Sequence, residues 1–255
     1  MSHDRREFMK LAGTAATVAG TAWAATPAAA QMAGQFRAIK ALAFDAYGTL
    51  FDVFSVTALC EQLYPGKGNQ LAQIWRVKQL QYSLMRSLMG RHRDFWGLTE
   101  DGLIWATKNL QLDLTADKKK QLMEAYLSLA AFPDVKPGLE TLKTQGVKLA
   151  ILSNGEPKML EAAAKSAGIR DLLDEVISVE EVKIFKVSPR VYNLGPERMK
   201  VTNPELGSWD INGAASAGLN TFWIQRSAAE VPEELGFQAS AVVKAITDLA
   251  PLLRG

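Results

Sequence analysis

The sequence predicts an α/β protein, with a parallel sheet covered by helices on both faces and an all-helical unit inserted after the first strand. Three observations predict it. A short apolar run from Ile39 closes on an acid, Asp45. A long stretch from about Phe54 to Ala131 then carries apolar residues at helical spacing. Beyond Pro133, apolar strand patterns alternate with helical ones, as parallel sheets require.

The elements follow in order. Residues 1–30 stand apart: Arg5-Arg6-Glu7-Phe8-Met9-Lys10 is a twin-arginine pair followed by an aromatic and a lysine. An uncharged run begins at Leu11, and Ala28-Ala29-Ala30 offers small residues for cleavage. That run is mainly Ala, Gly and Thr, too poor in Leu, Ile and Val for a spanning helix. Ile39–Tyr47 reads as a buried strand. In Leu71–Met89, Leu71, Ile74, Trp75, Tyr82, Met85 and Met89 fall on one helical face, and Thr99 and Thr115 are candidate N-caps. Pro137–Gln145 reads as a helix stopped by Gly146, and Val147–Leu152 as an apolar strand running into Ser153-Asn154-Gly155. Helix 156–167, strand 175–179, helices 189–199 and 209–217, strand 220–225 and a final short strand and helix complete the pattern. One irregularity interrupts it. Between Lys200 and Trp209 no apolar run appears, so two helices follow each other where the alternation demands a strand. The resulting organisation is a signal at 1–30, an α/β core from 36–53 and 132–255, and a helical unit at 54–131.

Composition narrows the function. Of the 255 residues, 48% are hydrophobic and 22% charged, which suits one or two globular domains with a sizeable core. A net charge of +2 argues for neither nucleic acid nor an anionic membrane as partner. The lone cysteine, Cys60, can form no internal disulfide and reads as a small buried residue. No Gly-x-Ser-x-Gly elbow occurs, and His92, between Arg91 and Arg93, reads as a solvated helix-end residue. Reactive groups of a parallel sheet gather at the carboxyl ends of its strands, where Asp45 and Ser153-Asn154 both lie. Taken alone, Asp45 is equally well a turn acid capping backbone amides.

The ordered set Asp45-x-Tyr47-Gly48-Thr49-Leu50-Phe51-Asp52, Leu152-Ser153-Asn154-Gly155, Lys186 and Asp210 resembles the motifs of the haloacid dehalogenase superfamily over nearly the whole chain past residue 30. The resemblance implies a Rossmann-like core, with the helical insertion as the superfamily's cap, and Asp45 as nucleophile. Phosphatases of the superfamily carry a second aspartate two positions after the nucleophile, where Tyr47 stands here. A phenol is a poor ligand for magnesium, which prefers carboxylates and waters, and phosphoryl transfer leans on that metal. The Asp-x-Tyr-Gly-Thr-Leu form, together with Gln73–Leu80, Tyr82 and Arg86–Met89, is similar to L-2-haloacid dehalogenases. A single charged halogenated carboxylate is then the implied substrate, with no metal or organic cofactor.

That resemblance implies two steps. Asp45 attacks C2 behind the halogen with inversion, and water then hydrolyses the Asp45 ester to a D-2-hydroxy acid. Arg76 and Asn154 receive the halide, Lys186 keeps Asp45 ionised, and Ser153 and Thr49 donate hydrogen bonds to substrate or nucleophile. Leu80, one turn after Arg76, lines an apolar pocket with Phe95 and Trp209. Tyr192 is a supporting tyrosine, and Asp210 orients Lys186 or the water. The residues before Trp209-Asp210 depart from the pattern: a short strand ending in a serine- and asparagine-bearing segment is expected there, and Leu206-Gly207-Ser208 is too short for it. Two alternatives therefore stand beside dehalogenation: a magnesium-dependent phosphatase or other hydrolase of the superfamily, and an inactive relative. The twin-arginine motif implies passage through the twin-arginine translocase to the periplasm, with no stable membrane anchor, and the resemblance suggests a homodimer.

Overall fold

In a computed structural model, residues 35–254 are described; the export-signal reading of residues 1–30 lies outside them. Six parallel strands form one sheet in the order β3-β2-β1-β4-β5-β6. They are β1 (Ala41–Phe44), β2 (Lys148–Ser153), β3 (Glu175–Ser178), β4 (Leu206–Ser208), β5 (Asn220–Ile224) and β6 (Ala241–Val243). Every side chain of β1 is buried, because helices cover both faces of a parallel sheet and leave no polar side for alternation. The α/β class is the one that the strand–helix alternation predicts.

The strand order reverses direction between β1 and β4. A crevice opens at that switch point, outside the carboxyl ends of the strands. Asp45 directly follows β1, and Trp209-Asp210 directly follow β4, so both edges of the crevice carry an acid.

Four helices make up the insertion that follows β1: α1 (Thr57–Leu63), α2 (Gly68–Leu88), α3 (Phe95–Asn109) and α4 (Ala116–Ala125). Buried Leu71, Ala72, Trp75, Gln79 and Ser83 mark the inner face of α2 at three- and four-residue spacing. The α2–α3 contact is partly polar. Thr99 accepts from Trp75 Nε1 at its carbonyl (2.7 Å) and from Gln79 Nε2 at its hydroxyl (2.6 Å). Thr99 is therefore an interior residue of α3, not its N-cap. That role belongs to Asp94, whose carboxylate accepts from Gly97 N at 2.7 Å. Thr115 does cap α4, accepting from Lys118 N. Where the chain leaves and re-enters the sheet region the two crossings pair: Phe51 bridges Ala131, Asp52 N donates to Ala130 O (2.8 Å) and Phe132 N to Leu50 O (3.1 Å).

Helices α5 (Val135–Thr144), α6 (Pro157–Ser166), α7 (Pro189–Tyr192), α8 (Leu194–Met199), α9 (Ile211–Ser216) and α10 (Leu249–Leu253) connect and cover the strands. Two sequence expectations need correction. A strand does exist between Lys200 and Trp209, and Trp209-Asp210 precede α9 instead of opening it. β4 is three residues long and carries Gly207 and Ser208, so no apolar run announces it. Its pairing with β1 on one side and β5 on the other makes it a strand. Gly207 is required there, because a Cβ would lie 2.6 Å from both Leu42 Cδ2 and Phe222 Cε2. His92 is also misread from its neighbours: its ring is largely buried, 3.0 Å from Glu180 and packed against Phe185. Cys60 is fully buried, as expected.

Candidate active site

A cavity of about 480 Å³ opens at the switch point, lined by Asp45, Tyr47, Arg76, Leu80, Phe95, Ser153, Asn154, Lys186 and Asp210 among others. The turn after β1 delivers Asp45, the end of β2 delivers Ser153-Asn154, the loop after β3 delivers Lys186, and α2 of the helical insertion closes the top with Arg76 and Leu80.

Its floor is a three-member charge cluster. Lys186 Nζ lies 2.9 Å from Asp45 Oδ1 and 2.6 Å from Asp210 Oδ2, with only 6% of the lysine side chain exposed. Burial works against the ammonium, but the two carboxylates, Asp210 before Asp45, outweigh it and hold its pKa above the ordinary lysine value. For Asp210, burial pushes the pKa upward; Lys186 opposes that and Asp45 adds to it, leaving a net rise. Despite the short strand before it, Asp210 reaches Lys186. Tyr192 lies just beneath: burial first, then Asp210 and Asp45, push its phenol far above the ordinary range and keep it neutral. It packs so closely against α9 that a Cβ at Gly213 would fall 2.2 Å from its hydroxyl.

The other groups are held by hydrogen bonds. Asn154 Oδ1 accepts from Lys186 N (2.9 Å), which fixes the amide group above the lysine. Ser153 Oγ accepts from Gly155 N (3.3 Å). Arg76 donates to Tyr47 O (3.0 Å) and to Gln79 Oε1 (2.6 Å), and Gln79 is fixed in turn on Thr99. Arg76 is thus tied to the turn after β1 and is no solvated helix charge. Tyr47 is buried, its ring 5.6 Å from that of Phe95. Burial, with Tyr126 and Asp45 adding, pushes its phenol far above the ordinary range.

Two of the anticipated residues lie elsewhere. Thr49 lines a neighbouring cavity with Asp52, Phe132 and Arg226, and its carbonyl accepts from Arg226 at 2.8 Å. The tight turn closed by Gly48 N→Phe51 O (2.8 Å) carries it past the Asp45 cavity. Trp209 stacks on Phe44, ring centres 3.9 Å apart, and faces the two adjoining cavities. Gln79, Ser83, Leu84, Val187 and Glu233 were not anticipated. Gln79, Ser83 and Leu84 had a signal, standing three, seven and eight residues after Arg76 on the same helical face; Glu233 reaches the cavity from a loop without pattern.

This residue set does not suit a divalent cation. Asp45 and Asp210 are joined by an ammonium, the third carboxylate position is a neutral phenol, and no cluster of His, Cys, Asp or Glu with metal-binding spacing occurs among the described residues. What the cluster can do is present an anionic oxygen, held by a buried cation, to a carbon centre beneath a guanidinium.

Comparison with known proteins gives the same picture. Residues 39–206 match the model of the haloacid dehalogenase-like hydrolase family. An (S)-2-haloacid dehalogenase of Pseudomonas sp. (strain YL) is 44% identical over 203 residues, covering 78% of this chain and 87% of that protein. (S)-2-haloacid dehalogenase 2 of Pseudomonas sp. (strain CBS-3) is 38% identical over 220 residues, covering 84% and 96%. Among solved structures, the L-2-haloacid dehalogenase of Xanthobacter autotrophicus with chloropropionic acid covalently bound is 37% identical, with a TM-score of 0.79, covering 85% of this chain and 99% of that one.

Proposed function

The chain belongs to the haloacid dehalogenase-like hydrolases, and on that premise we propose that it hydrolyses L-2-haloalkanoic acids to D-2-hydroxy acids through an ester on Asp45. The observation that carries this reading is the buried Asp45–Lys186–Asp210 cluster facing Arg76 in one cavity.

In the first step an Asp45 carboxylate oxygen forms a bond to C2 of the substrate as the carbon–halogen bond breaks, with inversion. The halide leaves with the bonding pair toward Arg76 and the amide of Asn154, donors fixed in advance by Tyr47 O, Gln79 and Lys186 N. Ser153 and Lys186 bind the substrate carboxylate, while Leu80 and Phe95 bound the alkyl side. In the second step water adds to the Asp45 carboxyl carbon and its proton passes to Asp210, whose raised pKa suits a base. The ester C–O bond to the aspartyl carbon breaks, Asp210 passes its proton on to the departing alkoxide oxygen, the remaining hydroxyl proton goes to solvent, and the hydroxy acid leaves with the Asp45 carboxylate restored. Tyr192 supports the cluster from below.

Halide release from L-2-chloropropionate tests the reading. The wild type releases halide with EDTA present, and Asp45→Asn loses on the order of 10³-fold or more of the rate. A folded wild type that releases none sinks it. Residues 1–30 resemble a twin-arginine signal, and we infer export of the folded protein to the periplasm; halide-releasing activity that stays with the cytoplasm on fractionation overturns that part.

A further inference from the structure

Beside the catalytic cavity lies a larger one, of about 920 Å³. Its origin is a notch in the sheet. β4 stops at Ser208, opposite Ala43 and Thr221, whereas β5 continues through Phe222, Trp223 and Ile224 with no strand on that side. Trp209 fills only the part of the notch next to Phe44. The remainder is walled by Trp209, Trp223, Val242 on the neighbouring strand, and Val231 and Phe237 from the loop after β5.

The two cavities adjoin. Val187, Asp210 and Glu233 line both, so these three residues form the boundary between the space above Lys186 and the larger chamber. Volumes of about 300–1,000 Å³ with mainly apolar walls are those of small-molecule sites. The charge at its rim is one-sided. Glu233 and Glu234 stand there with Asp210, and among the described residues no lysine or arginine lines the chamber. A second anionic group is repelled from it, whereas a neutral chain meets indole and aliphatic walls.

The geometry points to an acyl-chain subsite: the larger cavity takes the unbranched alkyl chain of a medium- or long-chain 2-haloalkanoic acid whose carboxylate and C2 sit at Asp45. This assignment rests on the dehalogenation reading and names the substrate's far end. The walls are partly open, Val242 being 52% exposed, so each methylene laid against them gains less than the factor of about four that full burial gives. Catalytic efficiency therefore rises from 2-bromopropionate to 2-bromooctanoate by about tenfold or more.

The test compares kcat/KM for 2-bromopropionate, 2-bromooctanoate and 2-bromooctanedioate in the wild type and in Val242→Trp. Val242 is 52% exposed on the edge strand, faces the chamber and does not line the catalytic cavity. Val242→Trp lowers the octanoate-to-propionate ratio about tenfold with 2-bromopropionate unchanged within about twofold, and the wild type disfavours the dioate against the octanoate. Ala239→Trp serves as a second filler should the first not fold. A wild type active on 2-bromopropionate with no preference for the octanoate, or a folded filler variant with an unchanged ratio, overturns the subsite. Halide release from none of the three substrates overturns the dehalogenation reading itself.

Discussion

On one side of Asp45, β2 runs in register with β1 through Phe44↔Ile151 and continues to Ser153. On the other side, β4 ends at Ser208, opposite Ala43, and Phe44 has an indole beside it in place of a strand. The polar groups differ in the same sense. On the β2 side Ser153 accepts from Gly155 N, Ser178 donates to Gly155 O (2.6 Å) and Asn154 accepts from Lys186 N. On the β4 side Ser208 Oγ, Trp209 Nε1, Thr221 Oγ1, Asn212 Oδ1 and Tyr192 OH are buried without a hydrogen-bond partner among the described residues. The polar side chains after β2 are held by hydrogen bonds to backbone groups. Asp210, after β4, is held by its charge on Lys186. The side chains after β2 are fixed by hydrogen bonds, and that of Asp210 by its ion contact with Lys186.

Substitutions at matched positions can break that contrast. The largest effect is expected on the β2 flank, where Asn154→Ala removes a fixed donor and lowers kcat on the order of 10²-fold. A loss under threefold would mean that the halide is stabilised elsewhere. Next is pH. Asp210 has a raised pKa, so on acidification it takes up its proton above the ordinary aspartate value of about 3.9. Protonation removes both the base and one of the charges holding Lys186, so activity falls as pH falls through that value. The acid limb of kcat therefore has its midpoint above about 4; a midpoint below it contradicts the burial of Asp210.

Smaller effects concern stability. Gly207→Ala forces a methyl against Leu42 and Phe222 and costs about 1–3 kcal/mol, visible as a Tm lower by several degrees. An unchanged Tm would show that β4 relaxes freely. Smallest is Ser208→Ala. Its hydroxyl has no partner, so deletion shifts Tm by less than about 2 °C or raises it, whereas Ser153→Ala removes a made bond and costs about 1 kcal/mol. Equal losses for the two serines would erase the distinction between the flanks.

The same contrast governs what can be read from the chain. Val147–Leu152 is a continuous apolar run, and that run alone marks β2 as a buried strand. β4 has Leu206 and then two small residues; its identity lies in partners more than 150 positions back and 13 forward, which no local window contains. Asp45, Arg76 and Ser153-Asn154 were legible because they sit inside motifs tied to one element each. Whether Asp210 meets Lys186 depends on how a short strand closes, and only the folded chain answers it. Thr99 and His92 were misread for a related reason. Asp94 is the better-placed acceptor five residues before Thr99, and the partner of His92 comes from Glu180 in a distant segment.

The paired crossings at the base of the helical insertion have a consequence of their own. Phe51 and Ala131 bridge, and Asp52 N and Phe132 N donate across the gap, so the two ends of the insertion are pinned side by side by the core's own backbone. To the sheet, everything between those ends is a closed loop, and doubling the length of a closed loop adds only about 0.6 kcal/mol of closure entropy. The helices that bring Arg76 and Leu80 over Asp45 are in this sense a replaceable cassette. Their length can change with little closure penalty to the sheet beneath, while Asp45 stays where β1 leaves it.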